Sequence, residues 1–212
     1  MEKKIGNIRI DYMLKKLSEK DVLEMPMRQF EVWWNEAVES KITEVNAMTL
    51  STVATDGQPS ARIVLLKEFS DQGFTFFTNY ESKKGRQIAE NSKVSLVFFW
   101  KELQRQVCIE GIAEKIDEAA SDAYFQSRPY GSRIGAWSSP QSRIIASRDI
   151  LEENEANYKQ MYPEAVPKPP HWGGYLIKPE NIEFWQGRSS RLHDRIVYTL
   201  VDNQWKIFRV AP

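Results

Sequence analysis

The stretch Ile182–Arg195, IEFWQGRSSRLHDR, decides how the C-terminal part of this chain is read. Its pattern predicts a strand, a turn and a second strand, with Arg191, His193 and Arg195 recurring every second residue. Side chains two apart on an extended segment share one face. The expectation is therefore a face carrying two guanidiniums and an imidazole beside the large ring of Trp185. A solvated strand has little use for such a face, whereas a flat anionic ligand would be well matched by it.

Working outward, Phe30, Trp33, Trp34, Ala37, Val38 and Ile42 fall at helical intervals, which predicts an amphipathic helix beginning near Pro26. The period then changes to that of strands. AMTLSTVA, ARIVLLKEF and FTFFTNY are β-rich runs separated by the turns TDGQPS and SDQG. SKKGRQIAENSK is a short helix with Ser82 as its cap, and VSLVFFW and RQVCIEGIAEKI are two further strands. From Asp117 to about Lys159 the pattern is helical, broken around SRPYGS and SSPQS. A proline-rich connection, YPEAVPKPPHWGG, leads to GYLIKP, NIEFWQG and RIVYTLVDNQWKIFRV, the last folding back at DNQ. Several strands with short turns, helices gathered in one insertion and no βαβ alternation predict a mainly β fold, an antiparallel barrel with flanking helices. Residues 1–25 are charged and weakly patterned and read as a mobile arm, ahead of a single domain over residues 26–212.

Composition narrows the chemistry. The 29 basic and 29 acidic residues cancel, so the chain lacks the positive field of a general nucleic-acid binder and must hold any anion with a local cluster. Neither GxGxxG nor GxxxxGK[ST] occurs, which argues against Rossmann and P-loop sites. Cys108, the single cysteine, excludes an internal disulfide and suits a reducing compartment. No signal peptide and no membrane span are expected, so the reading is cytoplasmic. His171, His193 and Cys108 have no metal-ligand spacing, and no metal is expected. Cys108 within an apolar strand reads as an inert thiol rather than a nucleophile.

Two cationic clusters remain. Arg62 and Lys67 bracket the apolar run Ile63–Leu66, and Lys83 with Lys84 sits at a predicted helix start, where backbone donors favour anions. Taken alone, either is equally a solvated strand or helix end. Tyr124, Arg128 and Ser132 supply a phenol, a guanidinium and a hydroxyl, with Pro129 and Gly131 breaking any helix between them. Gln141 and Ser142 in SSPQS add neutral donors. Together with the Trp185 stretch, these clusters suggest two flat, phosphorylated ligands bound side by side.

At this point EFWQ, four residues, then RLHDR resembles the C-terminal signature of the pyridoxine (pyridoxamine) 5′-phosphate oxidase family. RIVLLK, TNYESKKG, RQV, YFQSRP, IGAWSSPQS, PPHWGGY and WKIFRVAP follow in the family's order, so the resemblance covers nearly the whole chain. It implies a split β-barrel of the FMN-binding type and a homodimer with FMN at the subunit interface. It further implies oxidation of pyridoxine 5′-phosphate or pyridoxamine 5′-phosphate to pyridoxal 5′-phosphate, with O2 accepting the electrons to give H2O2. By position, the resemblance assigns FMN to Arg62, Ile63, Val64, Leu65, Leu66, Lys67, Phe77, Thr78, Lys83, Lys84, Gln106, Gln141, Ser142, Trp185 and Arg195. It assigns the substrate phosphate to Lys67, Tyr124, Arg128 and Ser132, the pyridine ring to Arg191 and His193 as catalytic residues, and a lid to Arg9 and Tyr12. Two departures stand out: Phe77 where some relatives carry tyrosine, and Cys108 where an arginine often follows RQV. The alternatives are a related split-barrel flavin enzyme with another substrate, and a non-catalytic FMN- or pyridoxal-phosphate-binding split-barrel protein.

Overall fold

The computed structural model describes residues 11–212. Five helices and nine strands occur among them: α1 (Pro26–Glu39), β1 (Ala47–Val53), β2 (Pro59–Leu65), β3 (Glu68–Ser70), β4 (Gly73–Asn79), α2 (Lys83–Glu90), β5 (Lys93–Trp100), β6 (Arg105–Lys115), α3 (Glu118–Ser127), α4 (Tyr130–Ser138), α5 (Asp149–Met161), β7 (Trp172–Gln186), β8 (Asp194–Val201) and β9 (Gln204–Arg209). The hydrogen-bonded order is β2-β1-β5-β6-β7-β4-β3, with β8 pairing β7 and β9 pairing β8. Two compact units emerge, one of residues 1–49, 95–110 and 179–212, the other of residues 50–94 and 111–178. Strands β1, β5, β6 and β7 each contribute residues to both.

In the first unit α1 starts with Pro26, whose fixed φ and missing N–H suit the first helical turn. Its apolar face buries Phe30 and Trp33 completely or nearly so. Phe30 packs on Phe98 with ring centroids 5.3 Å apart, and Trp33 meets Phe184 edge-on at 5.1 Å. Arg105 is buried, but its charge is matched: it lies over the Trp33 ring at 4.2 Å and reaches Glu36 at 2.7 Å. Strand β8 folds back into β9 at Asp202 and Asn203, both at positive φ, a backbone that asparagine and aspartate tolerate better than most residues.

In the second unit β4 is buried along almost its whole length. It runs antiparallel to β7, with Phe77 opposite Gly174 and Asn79 opposite Trp172. Helix α2 begins as its sequence predicts, with the Ser82 side chain accepting from the Gly85 N–H. Gly85 has no substitute here, because a Cβ would lie 2.1 Å from the Tyr80 carbonyl oxygen. Phe125, Ile134, Val166 and Trp172 form a core under the helical insertion.

Three expectations from the sequence are corrected. GYLIKP and NIEFWQG form one 15-residue strand, β7, rather than two. Pro179 does not interrupt it, because the β4 pairing ends at Ile177 and the β8 pairing starts at Asn181, so neither register calls on the missing N–H. ARIVLLKEF is divided between β2 and β3 instead of being one strand. Arg191, His193 and Arg195 do not share a strand face, since Arg191 sits in a short 3-10 turn, Ser189–Arg191, and β8 begins at Asp194. Both Ser190 and Arg191 have positive φ, which cancels the alternation that their spacing suggests.

Candidate functional site

In the second unit a cavity of about 670 Å³ opens between β2, the end of β4, the start of α2 and the helical insertion. Arg62, Lys67, Lys84 and Arg128 line it, and no carboxylate does. Ile63, Val64, Leu65, Phe77, Thr78, Tyr124, Ser132 and Gln141 complete the predicted residues on its walls. The structure thus gathers the two cationic clusters into a single space. Tyr124 comes from α3, Arg128 caps that helix and Ser132 lies in the first turn of α4, so the Pro129 break turns the chain around the cavity.

The cations there have only neutral partners among the described residues. Arg62 donates to Thr52 Oγ1 at 2.6 Å and to the Leu50 carbonyl at 3.2 Å. The Lys84 ammonium donates to Gln141 Oε1 at 3.1 Å, Thr78 Oγ1 at 3.2 Å and Ser82 Oγ at 3.4 Å. Burial pulls the Lys84 amine below its ordinary pKa, and the nearby Arg62 charge pulls the same way. Burial likewise lowers Arg62 and Arg128. Arg128 Nη1 is buried with no hydrogen-bond partner, while its guanidinium lies 4.7 Å over the Trp172 ring. Clustered cations without counterions, together with an orphaned donor, are the features of an anion site.

Other predicted residues lie off this cavity. Leu66, in the short link between β2 and β3, is 4% exposed and belongs to the core. Lys83 and Ser142 are exposed and line no part of it, Ser142 at a φ of 70°. Asn79, Ser139 and Trp172, which sequence reasoning did not single out, do line it. For Trp172 the PPHWGG stretch offered a signal, but a tryptophan beside glycines reads first as core.

The remaining candidates occupy the first unit. Trp185 and His193 have ring centroids 4.5 Å apart, and Tyr12 packs against both, at 5.9 and 6.1 Å. A Cβ at position 187 would lie 2.5 Å from the Tyr12 ring, so Gly187 makes that packing possible. His193 Nδ1 accepts from the Arg188 N–H at 3.1 Å. Burial, and then the Arg191 charge, hold the imidazole below its ordinary pKa. Arg191 itself is exposed on its turn. Arg195 is held by Glu183 through two bonds of 2.8 and 2.7 Å and donates to the Ala211 carbonyl at 2.9 Å. Gln106 donates to Cys108 Sγ at 3.2 Å, and burial raises the thiol to about 11, as suits an unreactive cysteine. Arg9 lies outside the described residues. Among the described residues no group of three His, Cys, Asp or Glu is arranged to hold a metal, and no helix is long and apolar enough to cross a membrane.

Comparison with known proteins shows the family. Residues 34–162 match the family model described as pyridoxamine 5′-phosphate oxidase. Residues 172–212 match the pyridoxine 5′-phosphate oxidase C-terminal dimerisation region. The chain is 56% identical over 209 residues to the pyridoxine/pyridoxamine 5′-phosphate oxidase of Cupriavidus metallidurans, covering 98% of this chain and 99% of that protein. It is 53% identical over 214 residues to the corresponding protein of Trichormus variabilis, covering both chains completely. Among solved structures it resembles PhzG from Burkholderia lata, at a TM-score of 0.87 and 30% identity over 91% of this chain and 95% of that one. An FMN-binding protein of Nostoc punctiforme related to pyridoxamine 5′-phosphate oxidase shares the fold, at a TM-score of 0.70 and 19% identity over 90% of this chain and all of that one. Matched along its length in sequence, and carrying a split β-barrel of that type, the chain belongs to the pyridoxine/pyridoxamine 5′-phosphate oxidase family and is an oxidoreductase.

Proposed function

We propose that this enzyme oxidises pyridoxine 5′-phosphate and pyridoxamine 5′-phosphate to pyridoxal 5′-phosphate, passing the electrons to O2 and releasing H2O2. The observation that carries the reading is the cavity lined by Arg62, Lys67, Lys84 and Arg128 without a carboxylate, walled on one side by aromatic rings. FMN is the cofactor, and when bound it supplies the two-electron acceptor that the side chains themselves lack. Arg62, Lys84, Thr78 and Gln141 present the donors that would hold its phosphate, next to the start of α2. Tyr124, Arg128 and Ser132, with Lys67, form the separate donor set for the substrate phosphate.

Gln106, Trp185 and Arg195 are proposed to serve the flavin, and Arg191 with His193 the pyridine ring. The Arg188 N–H occupies His193 Nδ1, so in the neutral ring Nε2 carries the proton and faces a ligand as a donor. The match of residues 172–212 to a dimerisation region supports a homodimer. We read residues 26–212 as one domain because four strands are common to both compact units, and residues 1–25 as its arm. A cytoplasmic setting is consistent with the lone thiol of Cys108.

The test is direct. Purified protein should be yellow, should bleach anaerobically on addition of pyridoxine 5′-phosphate, and should recover colour with H2O2 release when air is admitted. Protein that binds FMN but stays yellow with both B6 phosphates would instead support a non-catalytic carrier or a related enzyme with another substrate.

A further inference from the structure

Phe77, Tyr124 and Trp172 form a group of nearly parallel rings on the cavity wall. Phe77 and Tyr124 stack with centroids 3.9 Å apart and planes 18° apart. Phe77 and Trp172 are 5.4 Å and 12° apart, and Tyr124 and Trp172 are 6.2 Å and 7° apart. The Arg128 guanidinium then lies over Trp172 at 4.7 Å. Phe77 obtains its place from the β4–β7 register, which sets it opposite Gly174. A Cβ on Gly174 would be 2.9 Å from Phe77 Cε1, so the ring lies against backbone where any side chain would displace it. A phenylalanine offers no hydroxyl to a ligand, and its ring is occupied by Tyr124 and Trp172 on the protein side.

We propose that Phe77 is a positioning residue whose ring orients Tyr124 and, with Trp172, Arg128, and so sets how tightly the enzyme grips the anionic group of its substrate. This inference rests on the proposed assignment of Tyr124 and Arg128 to the substrate phosphate. Both side chains end in groups that rotate freely unless packed, and neither shares the fixed geometry of a backbone donor. Parallel stacking fixes the plane of the Tyr124 phenol, and the cation–π contact fixes the guanidinium over Trp172. Arg128 Nη1, buried without a partner, is the donor that such a platform holds in place, on a side chain that lines the cavity.

The experiment compares Phe77→Leu, Phe77→Met and Phe77→Tyr with the parent, using FMN-loaded protein and two readouts. These are KM and kcat for pyridoxine 5′-phosphate, and competitive inhibition by inorganic phosphate. Removing the ring with Leu or Met should raise KM and the inhibition constant of phosphate together, by roughly 2–12-fold, a larger factor than any fall in kcat. Phe77→Tyr keeps the plane and should restore both. Combined with Arg128→Ala, Phe77→Leu should add little to the KM of the single Arg128→Ala protein, because the two act on one grip. Parental KM and phosphate inhibition in Phe77→Leu, or effects that multiply independently in the double variant, would overturn the positioning role. If Arg128→Ala itself left KM unchanged, the assignment of the phosphate site would fail first, and with it the ground for this inference. Should Phe77→Leu not fold, the unbranched Phe77→Met keeps the volume and reads the same outcome.

Discussion

His193 Nδ1 receives the backbone N–H of Arg188 at 3.1 Å, and this one bond fixes which nitrogen of the ring carries a proton. Protonating the ring would set two donors against each other there. Burial and the Arg191 charge both act in the same direction, lowering the imidazole pKa. Since the folded-state value lies below that of the unfolded chain, the unfolded state binds more protons as pH falls below the ordinary histidine range. The associated stability is complete above that range and is lost as pH falls through the lowered folded-state pKa. With only two histidines in the chain, the His193 ring protons are readily resolved by NMR. Their titration midpoint should lie below that of a free histidine and move up in Arg191→Ala. An unshifted midpoint would remove this argument.

The pair Arg62 and Lys84 should be tested against FMN alone. Each is a charged donor without a carboxylate partner among the described residues, so Arg62→Ala or Lys84→Met deletes a charge-assisted bond to the proposed flavin phosphate. Titration of apoprotein with FMN should show Kd raised by roughly 10–150-fold in either variant.

Arg128 and Arg191 should separate binding from rate. If Arg128 grips the phosphate equally in ground and transition states, Arg128→Ala mainly raises KM, a loss of roughly 1.5–3 kcal/mol. Arg191 is proposed to set the pyridine ring's position, where small misplacements are steeply felt in rate. Stopped-flow measurement of Arg191→Ala at saturating substrate should therefore show slower flavin reduction. Arg191→Lys should recover only part of it, lacking the planar fork. Reduction at the parental rate in Arg191→Ala would show that the residue only binds.

The segment after residue 10 is tied down by Asp194 and Arg209. Asp194 accepts from Arg188, Arg209 and the Leu17 N–H, at 2.7, 2.9 and 3.1 Å. Arg209 also pairs with Glu19 at 2.7 and 3.0 Å and donates to the Leu17 carbonyl. The Arg209 bond lowers Glu19 from 4.5 to about 2, so the attachment holds above the ordinary carboxylate range and loosens as pH falls toward about 2. Arg209→Met should speed tryptic cleavage between Lys15 and Lys20 at neutral pH. Deleting residues 1–20 should slow turnover while FMN stays bound. Unchanged kinetics in that truncated protein would count against an arm that covers the site.

Local sequence determined the elements whose cause is local. Pro26 at the start of α1, Ser82 capping α2 and the alternation within β1 each act within a few residues, and each element appears where the pattern put it. The resemblance of EFWQ and RLHDR, with their companion motifs, located the family before any packing was known.

What only the tertiary structure decided are relations between residues far apart in the chain. Pro179 reads as a break, yet β7 passes through it, between the end of its β4 pairing and the start of its β8 pairing. Arg191 reads as a strand residue, yet positive φ at Ser190 and Arg191 turns it out of the alternation, and spacing carries no record of φ. Arg195 reads as a free cation, yet Glu183, 12 residues earlier, holds it with two bonds. Phe77, Tyr124 and Trp172 read as three separate aromatics. Their parallel stacking follows from the β4–β7 register and the placement of α3, which depend on what each strand and helix packs against rather than on its own composition.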